Sequence, residues 1–198
     1  VTGHGHEDLP VAARVRRLEE RVIAAGLTDD EALDAILTRL FDTATPVNGA
    51  RIVARAWTDE AFRERLLTDG SAGAAELGFP TLGIGGGGYR LRVVANTPDR
   101  HNMIVCTLCS CYPISLLGPS PSWYKSLAYR SRAVREPRAV LAEFGLTLPD
   151  DVEISVWDTS AETRYLVLPR RPDGTGDLPA DDLAALVTRN GLIGTAAV

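Results

Sequence analysis

Cys106, Cys109 and Cys111 fall within six residues, and they are the only three cysteines in the chain. The run reads Cys106-Thr107-Leu108-Cys109-Ser110-Cys111 and is followed at once by Tyr112-Pro113. Thiolate is the metal-binding form of cysteine, and soft sulfur ligands select transition ions over magnesium or calcium. Because one residue separates Cys109 from Cys111, the amide nitrogens of Ser110 and Cys111 lie between two sulfurs. A metal seated there closes fused chelate rings, with two sulfurs and two deprotonated backbone nitrogens in a plane. Cys106, one turn upstream, caps that plane from below and leaves a sixth position open for water or substrate. An open position is what a catalytic metal requires.

Other chemistries compete for the same residues. Tetrahedral zinc takes about four side-chain ligands, and here three sulfurs have only His101 nearby. Iron–sulfur clusters also need about four cysteines. A dithiol redox pair of Cys106 and Cys109 leaves Cys111 odd and expects a different strand-to-helix setting. Three inert thiols remain the plainest alternative, but the confinement of every cysteine to one segment argues against chance placement.

The elements that must position this loop follow from periodicity and capping. Val11, Val15, Leu18, Val22 and Ile23 lie at helical spacing over residues 8–25, which end at Gly26. Thr28-Asp29-Asp30-Glu31 reads as a capping box in which Thr28 and Glu31 satisfy each other's amides. Thr45-Pro46 and Thr58-Asp59 open two further helices. Beyond Gly85-Gly86-Gly87-Gly88, a run too permissive to order cheaply, the period changes to two. Strands are expected over 89–94, 103–105, 152–157 and 164–168, helices over 126–135 and 138–144, and a final helix over 181–188. Helices followed by a mostly separate strand region give an α+β fold: an N-terminal helical arm plus a layered α/β/β/α domain with mixed strands carrying the cysteine loop.

Composition narrows the function classes. A chain of 198 residues, 45% hydrophobic, can bury one good core. A net charge of −5 speaks against a nucleic-acid partner. The basic run Lys125, Arg130, Arg132, Arg135 and Arg138 reads better as a solvated or subunit-facing helix with ion pairs. No stretch approaches the roughly 18 apolar residues of a membrane span, and no signal-peptide pattern opens the chain, so a cytoplasmic setting with reduced thiols is expected. The glycine run lacks the following Lys-Ser/Thr of a phosphate loop. His4 and His6 sit in a Gly-rich terminus without further ligands, and His101 reads as structural.

HNMIVCTLCSCYP (101–113) and WYKSLAYRSRAVREPRAVL (123–141) closely resemble the α subunit of nitrile hydratase and the related metal-bearing subunit of thiocyanate hydrolase. The resemblance extends to GARIVARAWTDEAFRERLL (49–67), AELGF (75–79), EFGLTLPD (143–150), VWDTSAETRYLVLP (156–169) and LAALVTRNGLIG (183–194). It implies that Cys106 is the unmodified axial thiolate, that Cys109 is oxidised to sulfinate and Cys111 to sulfenate, and that Ser110 and Cys111 supply amide nitrogens. Exposed thiolates of low pKa are the ones expected to climb that oxidation ladder. In the family, threonine after the first cysteine accompanies cobalt and serine iron, so Thr107 points to Co(III), with Fe(III) the alternative. The metal acts as a Lewis acid toward a small-molecule nitrile, with the oxygen of Cys111 as nucleophile or base. The resemblance further implies a β-type subunit supplying arginines to the site, a metal-loading accessory protein, and a partner-wrapping extension over 1–48 ahead of a catalytic domain over 49–198.

Departures from the family pattern carry information of their own. Ile114 and Ser115 stand where a tryptophan and a proline are usual, which removes volume from the pocket wall and points to a bulky nitrile, with the hydratases of cyano-bearing nucleosides such as toyocamycin as a subclass. The glycine run replaces a segment that usually carries a glutamine. Asp158, Ser160 and Glu162 are expected to make contacts near the metal or to form an acidic turn between two strands. Thiocyanate hydrolysis, or metal binding without catalysis, are the competing functions.

Overall fold

The computed structural model describes residues 10–79, 81, 87–109 and 111–198. His4, His6, Gly85, Gly86 and Ser110 lie outside the described residues. The chain divides into two compact units, one ending at Asp42 and one spanning Thr43–Val198.

The first unit holds helix α1 (Val11–Ala24) and most of α2 (Asp30–Thr43). Gly26, at φ 67°, ends α1 as the periodicity predicts. Its amide donates to Ile23 O and that of Leu27 to Val22 O, the paired bonds that satisfy a helix's last carbonyls. Helix α2 starts one residue later than expected. Asp29, not Thr28, is the cap, accepting from Ala32 N at 2.8 Å. Ala32 has no side chain to return the bond, so the reciprocal box does not form. No residue of α1 is buried.

In the second unit, α3 (Pro46–Thr58) begins at Thr45, whose hydroxyl accepts from Val47 N, with Pro46 at the first helical position. It buries Ala50, Ile52, Val53, Ala54 and Ala56. Asp59 caps α4 (Glu60–Thr68), and Asp69 caps α5 (Gly70–Glu76), a helix of small residues with no apolar stripe to announce it. Then follow β1 (Arg90–Ala95), β2 (Arg100–Val105), α6 (Ile114–Leu117), a 3-10 turn (Ser122–Lys125), α7 (Leu127–Arg135), α8 (Pro137–Glu143), β3 (Glu153–Asp158) and β4 (Thr163–Leu168). Two short helices close the chain, α9 (Ala180–Leu186) and α10 (Arg189–Ile193). The single final helix expected over 181–188 is therefore broken. The Thr188 hydroxyl accepts from Gly191 N at 3.1 Å and starts a new helix instead of continuing the old one.

Among the described residues the strands form two parallel pairs. β1 lies beside β4 from Arg90↔Thr163 to Ala95↔Leu168, and β2 beside β3 from Arg100↔Glu153 to Val105↔Asp158. Met103, Ile104 and Val105 are buried in succession, as befits a strand covered on both faces. They join Ile52, Leu66, Leu91, Leu116 and Leu166 in one core. Parallel pairing demands a long crossover, and residues 106–152, between β2 and β3, provide it. The cysteine loop is the first part of that crossover.

Candidate metal centre

Cys106 follows the last residue of β2 and is 1% exposed, with its thiol in the core. The sheet fixes this point firmly. Val105 is in register with Asp158, and Thr159 N donates to Val105 O at 2.7 Å. Tyr129 OH donates to Ile104 O at 2.7 Å, pinning α7 against β2. From the adjacent position of α7, Arg130 donates from Nε to Cys106 O at 3.0 Å and from Nη2 to Thr107 O at 2.7 Å. On the far side Asp158 accepts from Thr107 N at 2.9 Å and from its hydroxyl.

The chain then turns back. Cys109 N donates to Cys106 Sγ at 3.3 Å, while Leu108 points outward at 87% exposure. Sulfur separations are 3.4 Å from Cys106 to Cys109 and 3.2 Å from Cys109 to Cys111. No disulfide joins any of them. All three sulfurs lie within 4.8 Å of one another and could hold a metal ion. Metal–sulfur bonds of about 2.3 Å meeting at a right angle set two sulfurs ~3.3 Å apart, whereas a tetrahedral angle sets them ~3.8 Å apart. Both separations are shorter than a tetrahedral pair of bonds sets, which speaks against tetrahedral zinc.

The far end of the loop is tied as well. Cys111 O accepts from Thr159 Oγ1 at 2.8 Å and from Tyr124 OH at 3.1 Å. Arg164 Nη1 donates to Tyr112 O at 2.6 Å, and its guanidinium lies 4.3 Å from the centre of the Tyr89 ring. Arg164 Nε is buried with no hydrogen-bond partner among the described residues. Burial holds the Tyr124 phenol well above its ordinary range, so it stays a donor. The Cys111 thiol is pushed up to about 12. Burial is the largest cause, followed by the hydrogen bond with Cys109 and the nearness of the Cys106 and Cys109 sulfurs, while Arg164 pulls the other way. A thiol of low pKa was expected here, yet the crowded Cys111 sulfur keeps its proton unless a cation joins it. A metal ion is the partner that resolves this crowding.

The family model "Nitrile hydratase, alpha chain" matches residues 9–196. The chain belongs to the nitrile hydratase α-chain family. It is 51% identical over 185 residues to the low-molecular-weight cobalt-containing nitrile hydratase subunit α of Rhodococcus rhodochrous, covering 93% of this chain and 87% of that one. It is 47% identical over 161 residues to the thiocyanate hydrolase subunit γ of Thiobacillus thioparus, covering 78% and 66% respectively. Among solved structures, a double mutant of the iron-type nitrile hydratase of Comamonas testosteroni Ni1 superposes with a TM-score of 0.88 at 43% identity, covering 94% of this chain and 89% of that one.

Within this nitrile hydratase α chain, the structure brings together Cys106, Cys109 and Cys111. Asp158 joins them, bound to Thr107. Ser160 and Glu162 do not. The Ser160 hydroxyl donates to Glu162 at 2.9 Å and accepts from Thr163 N, forming a turn of its own. His101 sits at the other end of β2, bonded through Nε2 to Gly194 O at 2.7 Å and through Nδ1 to Asn96. It is structural, as its sequence context suggests. The basic run is split in function. Arg132 makes the expected ion pairs, with Glu136 and Glu143, whereas Arg138 holds the carbonyls of Leu148, Pro149 and Val152, and Arg130 those of the cysteine loop. Arg130, Tyr124, Thr159 and Arg164 escape sequence reading as site residues because each bonds a main-chain carbonyl, which leaves no side-chain pattern. Among the described residues no helix is long and apolar enough to cross a membrane.

Proposed function

We propose that this chain is the metal-bearing subunit of an enzyme that hydrates a nitrile to its amide. One observation carries the reading: three cysteine sulfurs lie within 4.8 Å of one another on the loop that leaves the buried end of β2, in a chain of the nitrile hydratase α family. The ion is cobalt(III), held by the sulfurs of Cys106, Cys109 and Cys111 and the amide nitrogens of Ser110 and Cys111. Thr107 and the cobalt-containing relative support cobalt, and the iron-type structural neighbour keeps Fe(III) as the alternative. When bound, the ion supplies Lewis acidity toward the nitrile nitrogen. Cys109 carries a sulfinate and Cys111 a sulfenate, whose oxygen serves as nucleophile or base. Water adds across the carbon–nitrogen bond, its oxygen going to carbon and both its protons ending on nitrogen. Tyr124 and Thr159, both on Cys111 O, keep that residue in place through the cycle.

A β-type subunit completes the site with arginines, since anionic sulfur oxygens need charged donors. The residues up to 48 are the extension that reaches for it. Val11, Val15 and Leu18 are 56% to 72% exposed along one helix, a stripe that a partner is needed to cover. A metal-loading accessory protein serves the site, in the cytoplasm. Ile114, half-buried at the start of α6, replaces an indole and admits a bulky nitrile, as cyano-bearing nucleosides would be.

Co-expression with the β-type subunit in cobalt medium tests this. Expected are about one cobalt per chain, with two added oxygens on Cys109 and one on Cys111 by peptide mass, and amide formation that favours larger nitriles. Iron in place of cobalt overturns the metal only. Turnover of thiocyanate but of no nitrile shifts the reading to the hydrolase. Zinc, or unmodified thiols without turnover in the assembled complex, overturns the enzyme.

A further inference from the structure

One side chain grips the start of the cysteine loop. Arg130 reaches from α7 and spans two successive carbonyls, Cys106 O and Thr107 O, with the two arms of its guanidinium. Asp158 takes both donors of Thr107 from the opposite side. Residues 106 and 107 are thus held by a cation on their acceptors and an anion on their donors. Arg130 is itself well placed to hold still. Ser126 caps its helix through Tyr129 N, and Tyr129 anchors that helix to β2. The consequence passes to the sulfurs, because Cys109 N bonds Cys106 Sγ, so the position of Cys106 sets where the chain returns. Beyond residue 107 the exposed Leu108 and Cys109 gain little from packing within this chain.

We propose that Arg130 is a positioning residue for metal capture, fixing the turn at 106–107 so that the three sulfurs stand at bonding separation before the ion arrives. This rests on the metal-centre reading above. A lysine cannot replace the side chain, since a single ammonium does not span two carbonyls in a fixed fork.

The test uses the complex of this chain with its β-type partner, stripped of metal and titrated with cobalt(II). The thiolate-to-metal charge-transfer absorption and competition by a chelator give Kd, and thermal melting is recorded alongside. Arg130→Met and Arg130→Lys are compared with Arg138→Met, which removes an arginine of the same carbonyl-holding kind away from the loop. The expected result is a Kd about 10- to 100-fold weaker for both Arg130 variants and unchanged for Arg138→Met, even where its Tm falls as far. Equal affinity in all variants overturns the proposal, as does an equal loss in Arg138→Met at matched Tm. Full rescue by lysine overturns the fork. If Arg130→Met does not fold, Arg130→Lys decides alone. Failure of the unmodified complex to bind cobalt strikes the metal-centre reading instead, and is told apart by that control.

Discussion

Cys106 and Cys109 are the same residue type three positions apart, yet one is 1% exposed at the end of a buried strand and the other is exposed on a turn. The difference comes from where β2 stops. Up to Val105 the backbone is held by strand pairing and the side chains by core packing. After Thr107 strand pairing and core packing no longer act, and Thr159 and Tyr124 hold the loop again at Cys111 O. Reactivity follows the same gradient, because oxidants and alkylating reagents reach an exposed sulfur directly and a buried one only through local opening. A single loop thereby presents one sheltered sulfur, one exposed and one half-buried.

The largest break in this comparison is removal of the sheltered ligand. Cys106→Ser in the assembled complex should weaken metal binding by more than about a hundredfold, beyond the loss typical of residues that merely support a ligand. Stoichiometric metal in that variant would sink the assignment of Cys106 as a ligand. Next comes the reactivity order in the metal-free chain. Iodoacetamide followed by peptide mapping should label Cys109 at least about tenfold faster than Cys106, and equal rates would show that the strand end does not shelter its thiol.

A smaller effect concerns the other end of β2. Burial lowers the pKa of His101, with the bond to Gly194 O opposing it. A base whose folded pKa is depressed contributes stability above its ordinary value of 6.5 and loses it as pH falls through the folded value. Urea midpoints should therefore be flat above neutrality and decline in acid below 6.5, and His101→Gln should flatten the acid limb. An unchanged limb would remove His101 from the account. The smallest effect is expected at Arg132, whose pairs with Glu136 and Glu143 are exposed. Arg132→Met should leave the urea midpoint where it is, in contrast to its neighbour Arg130 two residues away, and a clear drop would show that these surface pairs carry stability.

The cysteine loop was legible in the sequence because all its sulfur ligands are contiguous. So were the starts at Thr45-Pro46 and Asp59, where a cap and its helix adjoin. Missing from that reading are features whose partners are distant. Tyr124 and Thr159, 13 and 48 residues downstream, meet on one carbonyl of Cys111, and nothing local to either foretells it. Helix α5 was missed because Gly70 and Gly73 weaken its propensity. The structure supplies the reason for both, since a Cβ on Gly70 would lie 2.7 Å from Leu91 O and one on Gly73 2.7 Å from Leu66 Cδ1. Close packing of a helix on β1 and α4 was bought at the expense of local signal. Ser110 lies outside the described residues, so its amide rests on chemistry alone.

The nesting of the two strand pairs also bears on the entropy of assembly. β2 and β3 pair inside the span that β1 and β4 enclose. Closing a long loop costs conformational entropy that grows with the logarithm of its length, about 0.6 kcal/mol per doubling. Once the inner pair has closed around residues 106–152, the outer pair has only a shortened chain left to close. The inner pair is also the one that brings Asp158 and Thr159 to the cysteine loop. Chain entropy thus favours closing the cradle before the outer strands that surround it.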